Sequence, residues 1–128
     1  MKCEFISVYA TEECIAVGKV FWIVSDTLGS GDAELGRVLM RNFLYTLARA
    51  EDRPSRVMLA NGAVRLACDG SDTLDDLRLL ADRGTEVTAC GTCLDFLGLR
   101  GSLAVGAVGD MAGSVAALCG GTGAVTVA

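Results

Sequence analysis

The sequence predicts a doubly wound, three-layer α/β/α sandwich on a mostly parallel sheet of about four or five strands. Two observations carry this. The run Lys19-Val20-Phe21-Trp22-Ile23-Val24-Ser25 is continuously apolar and rich in β-branched and aromatic residues, the signature of a central strand covered on both faces. Further stretches of strand length then alternate with helical periodicity to the C-terminus, as β-α-β-α-β-α-β, and right-handed crossovers would place helices on both faces of the sheet. At 128 residues the chain reads as one domain, with room for a proper core.

Residues 1–18 precede this pattern and are read as an N-terminal extension; Cys3 to Ala10 has the composition of a possible extra strand. The domain proper spans 19–128. After the first strand, Asp26 to Asp32 holds Gly29-Ser30-Gly31, with Asp32 as the helix cap. From Ala33 to Ala50, Leu35, Val38, Leu39, Phe43, Leu47 and Ala48 recur at three- and four-residue steps. Pro54, the only proline, marks the return to a strand at Arg56–Ala60. Asn61-Gly62 turns the chain, and Val64–Cys68 has room for one helical turn. Ser71 or Asp72 is placed to cap the next helix, whose stripe is Leu74, Leu77, Leu80 and Ala81, with Gly84 at its end. Thr85–Ala89 is the third strand, and Leu94–Leu97 gives one or two helical turns before Gly98. Leu103–Val108 reads as a loop with a short strand, Met111–Cys119 as a helix capped by Asp110, and Thr122–Ala128 as the last strand.

Composition narrows the function. Hydrophobic residues make up 52% before the 16 glycines are counted, against about 45–50% with glycine included in an ordinary soluble domain. Mean hydropathy is +0.46. The excess reads as a subunit interface, hence a homo-oligomer; a bias toward Ala, Val and Gly is the alternative. A net charge of −5 without a basic run argues against direct nucleic-acid binding. The absence of histidine excludes Cys/His and Ser/His nucleophile pairs and His-containing zinc sites. The N-terminus lacks the layout of a signal peptide, and no uncharged apolar run reaches the length of a membrane span. The expected setting is cytoplasmic, where six cysteines are reduced or reactive rather than a disulfide framework.

The chemical lead is Cys90-Gly91-Thr92-Cys93. Cys90 falls where a strand ends and a helix begins, and function gathers at the carboxyl ends of strands in open α/β sheets. The unpaired amides of Gly91, Thr92 and Cys93, with the positive end of the helix dipole, favour thiolate over thiol. The pair reads as a sulfur-carrying nucleophile or a redox dithiol; two small core residues is the bland alternative. No second Cys-x-x-Cys exists, so one chain offers no zinc ligand set, although a set completed by a second subunit stays open. No organic cofactor is called for. Gly29-Ser30-Gly31 matches neither the Rossmann nor the P-loop pattern and is read as a tight turn. Asn61-Gly62 is read as a turn that ends near the thiols. Cys3, Cys14, Cys68 and Cys119 are taken as incidental or small buried residues. Asp95 would oppose thiolate formation if it faced Cys90.

At these residues the chain resembles the DsrE-like sulfur-relay family, and most of all the C-terminal DsrE-like domain of YedF-type proteins associated with selenium metabolism. The resemblance lies in Ser25–Asp32 with Glu34-Leu35-Gly36, in Phe43–Leu47, in Gly70-Ser71 with Leu74, Leu77 and Gly84, and in Cys90–Phe96 with Gly98-Leu99. Together these span roughly residues 19–128. The resemblance implies a persulfide on Cys90, whose eight-residue spacing to Gly98 fits the wider family. Cys93 fits only the YedF-type subgroup. Asn61-Gly62-Ala63-Val64 and Asp110-Met111 depart from that subgroup's usual Asn-x-Gly-Val and Asn-Met, so ligand details do not carry over. The implied partners are a sulfur or selenium donor protein, an acceptor protein, a TusA-like protein among the candidates, and further copies of the chain as dimer or trimer. Neither membrane nor nucleic acid is implied. The readings held open are a sulfur or selenium carrier acting as a sulfurtransferase through Cys90, with Cys93 resolving the persulfide; a dithiol–disulfide oxidoreductase; and a non-enzymatic regulatory or assembly subunit.

Overall fold

A computed structural model describes residues 18–120 and 123–128. The expected extra strand within residues 1–18 falls, Gly18 apart, outside the described residues. Five strands, β1 (Val20–Ile23), β2 (Arg56–Leu59), β3 (Glu86–Cys90), β4 (Ala107–Gly109) and β5 (Ala124–Val127), form one sheet in the order β4-β3-β2-β1-β5. Every pairing is parallel. The helices are α1 (Ala33–Arg49), α2 (Leu74–Asp82), α3 (Gly91–Phe96) and α4 (Met111–Leu118), and 3-10 turns fill Asn61–Ala67 and Arg100–Ser102. This is the predicted α/β architecture, parallel throughout.

The chain steps from β1 to β4 in one direction across the sheet, then returns past all of it to β5. Right-handed crossovers put α1, α2 and α3 on one face and α4 on the other. The first face is a well-formed core. Phe21, Val57, Val87 and Val125 lie in one row of the register, and Ile23, Leu59, Ala89 and Val127 in the next. All eight belong to or pack against the main apolar cluster, which α1 enters through Met40, Leu44, Leu47 and Ala48. β1 lies between β2 and β5, away from either sheet edge as expected, but it is not fully covered on both faces: Trp22 stays half-buried, because α4 covers that side thinly.

Local details differ from the sequence reading in three places. The turn after β2 is a seven-residue 3-10 helix that begins at Asn61, not a helical turn from Val64. Asn61 opens it at φ 55, the only positive φ among the described non-glycine residues, in a region that asparagine tolerates better than most. At the start of α2, neither Ser71 nor Asp72 caps the helix. Thr73 takes that position, accepts no capping bond, and instead donates its buried hydroxyl to the Leu66 carbonyl at 2.9 Å. α3 starts directly at Gly91 rather than at Leu94. The cap of α1 is as expected, with the Leu35 amide donating to Asp32 Oδ1 at 2.9 Å.

Candidate functional site

The connections leaving β3 and β4 depart to opposite faces of the sheet, toward α3 and α4. Adjacent strands with divergent exits leave a crevice at their carboxyl ends, the usual location of function in such sheets. Cys90 is the last residue of β3 and stands in register with Gly109, the last residue of β4. It also caps α3, in extended conformation with no side-chain capping bond, so its thiol is not committed to the helix start. Gly91 packs closely in this arrangement. A Cβ there would stand 3.0 Å from Val108 Cγ1 and 3.4 Å from the Gly109 carbonyl, so a side chain would have to push β4 by a few tenths of an ångström.

Cys93 follows one helical turn later. Both thiols are free and partly exposed. The Asn61 amide, at the carboxyl end of β2, donates to Cys93 Sγ at 3.1 Å. Burial pushes the Cys93 thiol above its ordinary pKa, a side-chain hydrogen bond with Cys90 pushes it further, and the Asn61 amide pulls it partly back. Cys93 therefore holds its proton more firmly than an ordinary thiol.

Asp95 is paired away from the thiols. It turns to Arg100, which donates from Nε and Nη2 to its two carboxylate oxygens at 2.8 Å each. That bidentate hydrogen bond holds the Asp95 carboxyl below the usual carboxylate range. Arg100 Nη2 stands 3.3 Å from where a Gly91 Cβ would be, so the guanidinium lies over the turn that carries Cys90. Exposed apolar side chains lie on the elements that follow β3 and on β4 and its exit: Phe96 in α3 is 88% exposed, and Val108 in β4 and Met111 at the start of α4 are exposed.

Of the predicted site residues, the structure brings Cys90 and Cys93 together at the crevice. The singletons separate: Cys68 is buried, donating its thiol to the Val64 carbonyl at 3.2 Å, whereas Cys119 is exposed. Two participants escaped the sequence reading. Asn61 acts through its backbone amide, which its side-chain identity does not advertise, although the Asn-Gly pair at a strand end pointed to the region. Arg100 reaches back over α3 only because Gly98, at φ 70, reverses the chain. Among the described residues, no group of three or more Cys, Asp or Glu side chains is placed to hold a metal ion, and no helix is long and apolar enough to cross a membrane.

No family model matches the sequence, and no curated protein does. Among solved structures, the ychN protein of E. coli superposes with a TM-score of 0.65 at 18% identity, covering 86% of this chain and 99% of that one. MTH1491 of Methanobacterium thermoautotrophicum, described as a protein of unknown function, superposes with a TM-score of 0.58 at 22% identity, covering 86% and 98%. At such identities the likeness establishes architecture: the chain has the DsrE/YchN-like α/β fold.

Proposed function

We propose that the protein is a sulfur or selenium carrier that holds the transferred atom as a persulfide, or its selenium counterpart, on Cys90. The observation that carries this reading is the Cys90 thiol, partly exposed at the strand-end crevice and uncommitted to the helix start, with a second free thiol, Cys93, one helical turn on. Cys90 thiolate attacks the outer sulfur of a donor persulfide, the donor's S–S bond breaks, and the donor leaves as thiolate: Cys90-S⁻ + RS-SH → Cys90-S-SH + RS⁻. An acceptor thiolate takes the outer sulfur in the same way. Without an acceptor, Cys93 thiolate attacks Cys90 Sγ, closing a disulfide and expelling HS⁻. The dithiol becomes oxidised and the sulfane sulfur reduced. The bond from the Asn61 amide supports the Cys93 thiolate when it forms.

The exposed apolar side chains and the thinly covered sheet face support a homo-oligomer, dimer or trimer, with donor and acceptor proteins engaging the crevice; a TusA-like protein fits either role. The resemblance to YedF-type domains supports the same reading. The dithiol oxidoreductase is the second reading, favoured by the closeness of Cys93 to Cys90. Intact mass after incubation with inorganic polysulfide separates the two. A gain of one sulfur in the Cys93→Ala protein, where no disulfide can close, that Cys90→Ala abolishes supports the carrier, whereas loss of two hydrogens in wild type with no sulfur gain in Cys93→Ala supports the oxidoreductase. No change in either direction leaves the thiols inert.

A further inference from the structure

Among the described residues, Asn61 is the one non-glycine position in the left-handed region, at φ 55. Such a conformation persists only where the structure around it fixes it. Both flanks are fixed here. Upstream, Leu59 is buried and the Ala60 amide donates to the Ile23 carbonyl at 2.9 Å, which ties the end of β2 to β1. Downstream, the 3-10 turn is anchored by buried Ala63, Val64, Leu66 and Ala67. Between these anchors lies the peptide whose N–H donates to Cys93 Sγ at 3.1 Å. The Asn61 residue itself is exposed, so side-chain packing does not account for its unusual backbone.

We propose that Asn61 is a positioning residue for Cys93: its left-handed backbone aims the amide at the Cys93 sulfur and thereby sets the reactivity of that thiol. A residue that resists positive φ would relax toward the right-handed or extended regions. With both flanks held, the Ala60–Asn61 peptide would take up the rotation, and its N–H would leave the sulfur. The direction of the effect follows from charge. A donor stabilises thiolate more than thiol, and the Asn61 amide opposes burial and Cys90, both of which raise the Cys93 thiol. Asp95 and Arg100, the charged groups on α3 and just after it, are engaged with each other. That Cys93 acts on a persulfide at Cys90 rests on the carrier reading; the coupling of the amide to the thiol does not.

Alkylation of the reduced, unloaded protein with limiting iodoacetamide, read by peptide mapping, tests it, with Cys90 as the reference thiol in the same molecule. Asn61→Ala should slow Cys93 relative to Cys90 by about tenfold at neutral pH, since one hydrogen bond to a charged group is lost. It should also move the Cys93 alkylation profile to higher pH. Asn61→Gly, which adopts the left-handed backbone freely, should restore both. A merely structural role would instead expose the two thiols together. In wild type, the backbone nitrogen resonance of Asn61 should shift as Cys93 ionises on raising the pH, and Cys93→Ala should abolish that shift; this arm needs no variant at Asn61. Unchanged relative rates in Asn61→Ala, an Asn61→Gly protein as slow as Asn61→Ala, or an Asn61 resonance that ignores Cys93 overturns the proposal. Loading by inorganic polysulfide keeps the two claims apart. Loading without the Asn61 effect on Cys93 overturns the positioning role and leaves the carrier, whereas the Asn61 effect without loading upholds the positioning role and removes the carrier.

Discussion

The two faces of the sheet are built from the same strands and covered differently. On one face, α1 buries Gly36, Met40, Leu44, Leu47 and Ala48, and turns charged residues such as Arg37 and Arg41 outward. On the other, α4 is Met111-Ala-Gly-Ser-Val-Ala-Ala-Leu118, apolar almost throughout, yet buries none of its residues. The strand row beneath that face, Trp22, Met58, Thr88 and Thr126, has one buried member, Met58. Both helices start alike, with an aspartate whose side chain accepts the amide of the third helical residue, Leu35 for Asp32 and Gly113 for Asp110. Local helix signals are therefore matched, and the difference lies in what each apolar surface meets. An amphipathic helix finished by its own chain marks a core face, and an apolar helix left uncovered by the described residues fits the association proposed above.

Leu44→Ala, on the core face, should produce the largest loss of stability, about 3 kcal/mol by denaturant titration, because it empties a fully buried site under α1. If Leu44→Ala costs no more than a surface change, the core face is wrongly placed. Gly106→Ala ranks next, at about 1–3 kcal/mol. Gly106 sits at φ +87, and a Cβ there would meet the Val87 carbonyl at 2.7 Å, so β4 must shift away from β3. The matched caps give an internal control: Asp32→Ala and Asp110→Ala should each cost about 1 kcal/mol. A much larger cost for Asp110→Ala would show that α4 is anchored beyond its own start.

Val115→Asp should change monomer stability by no more than about 0.5 kcal/mol. It should nevertheless lower the mass seen by light scattering toward that of one 13.3 kDa chain, with red-shifted emission from half-buried Trp22. An unchanged mass would mean that α4 is not where copies meet.

The smallest effect is in pH. Burial raises the thiols of Cys68 and Cys93 in the folded chain. A raised folded pKa stabilises the fold at pH values below the unfolded thiol pKa of about 8.5, and that contribution is lost as pH rises through the folded value. Stability should therefore fall on the alkaline side, and less steeply in Cys68→Ala compared at its own baseline. Sulfide release from loaded protein should accelerate over the same range, as Cys93 gains thiolate character.

Much of the fold was legible because strand burial leaves a pattern in side-chain identity. Lys19–Ser25 announced an interior strand, and the apolar stripe beginning at Ala33 announced α1. β4 was read only as a short strand within a loop, since three residues on a sheet edge carry little pattern. The cap of α2 was misassigned because Ser71, Asp72 and Thr73 all have capping side chains, and only the tertiary pull of the Leu66 carbonyl on Thr73 decides among them. At the site, the two cysteines were readable from type and spacing. The Asn61 contact is a backbone bond across 32 residues, and the diversion of Asp95 to Arg100 depends on the turn at Gly98. Neither leaves a trace in residue type alone.

The central claim is that Cys90, not Cys93, carries the transferred sulfur. Wild-type protein loaded with polysulfide, trapped at neutral pH with an alkylating reagent and cleaved into peptides that separate the two cysteines, locates the extra sulfur. The account predicts an alkylated persulfide on the Cys90 peptide and a singly alkylated thiol on the Cys93 peptide. An extra sulfur on Cys93, or no extra sulfur on Cys90 in the Cys93→Ala protein, where no disulfide can close, would contradict it.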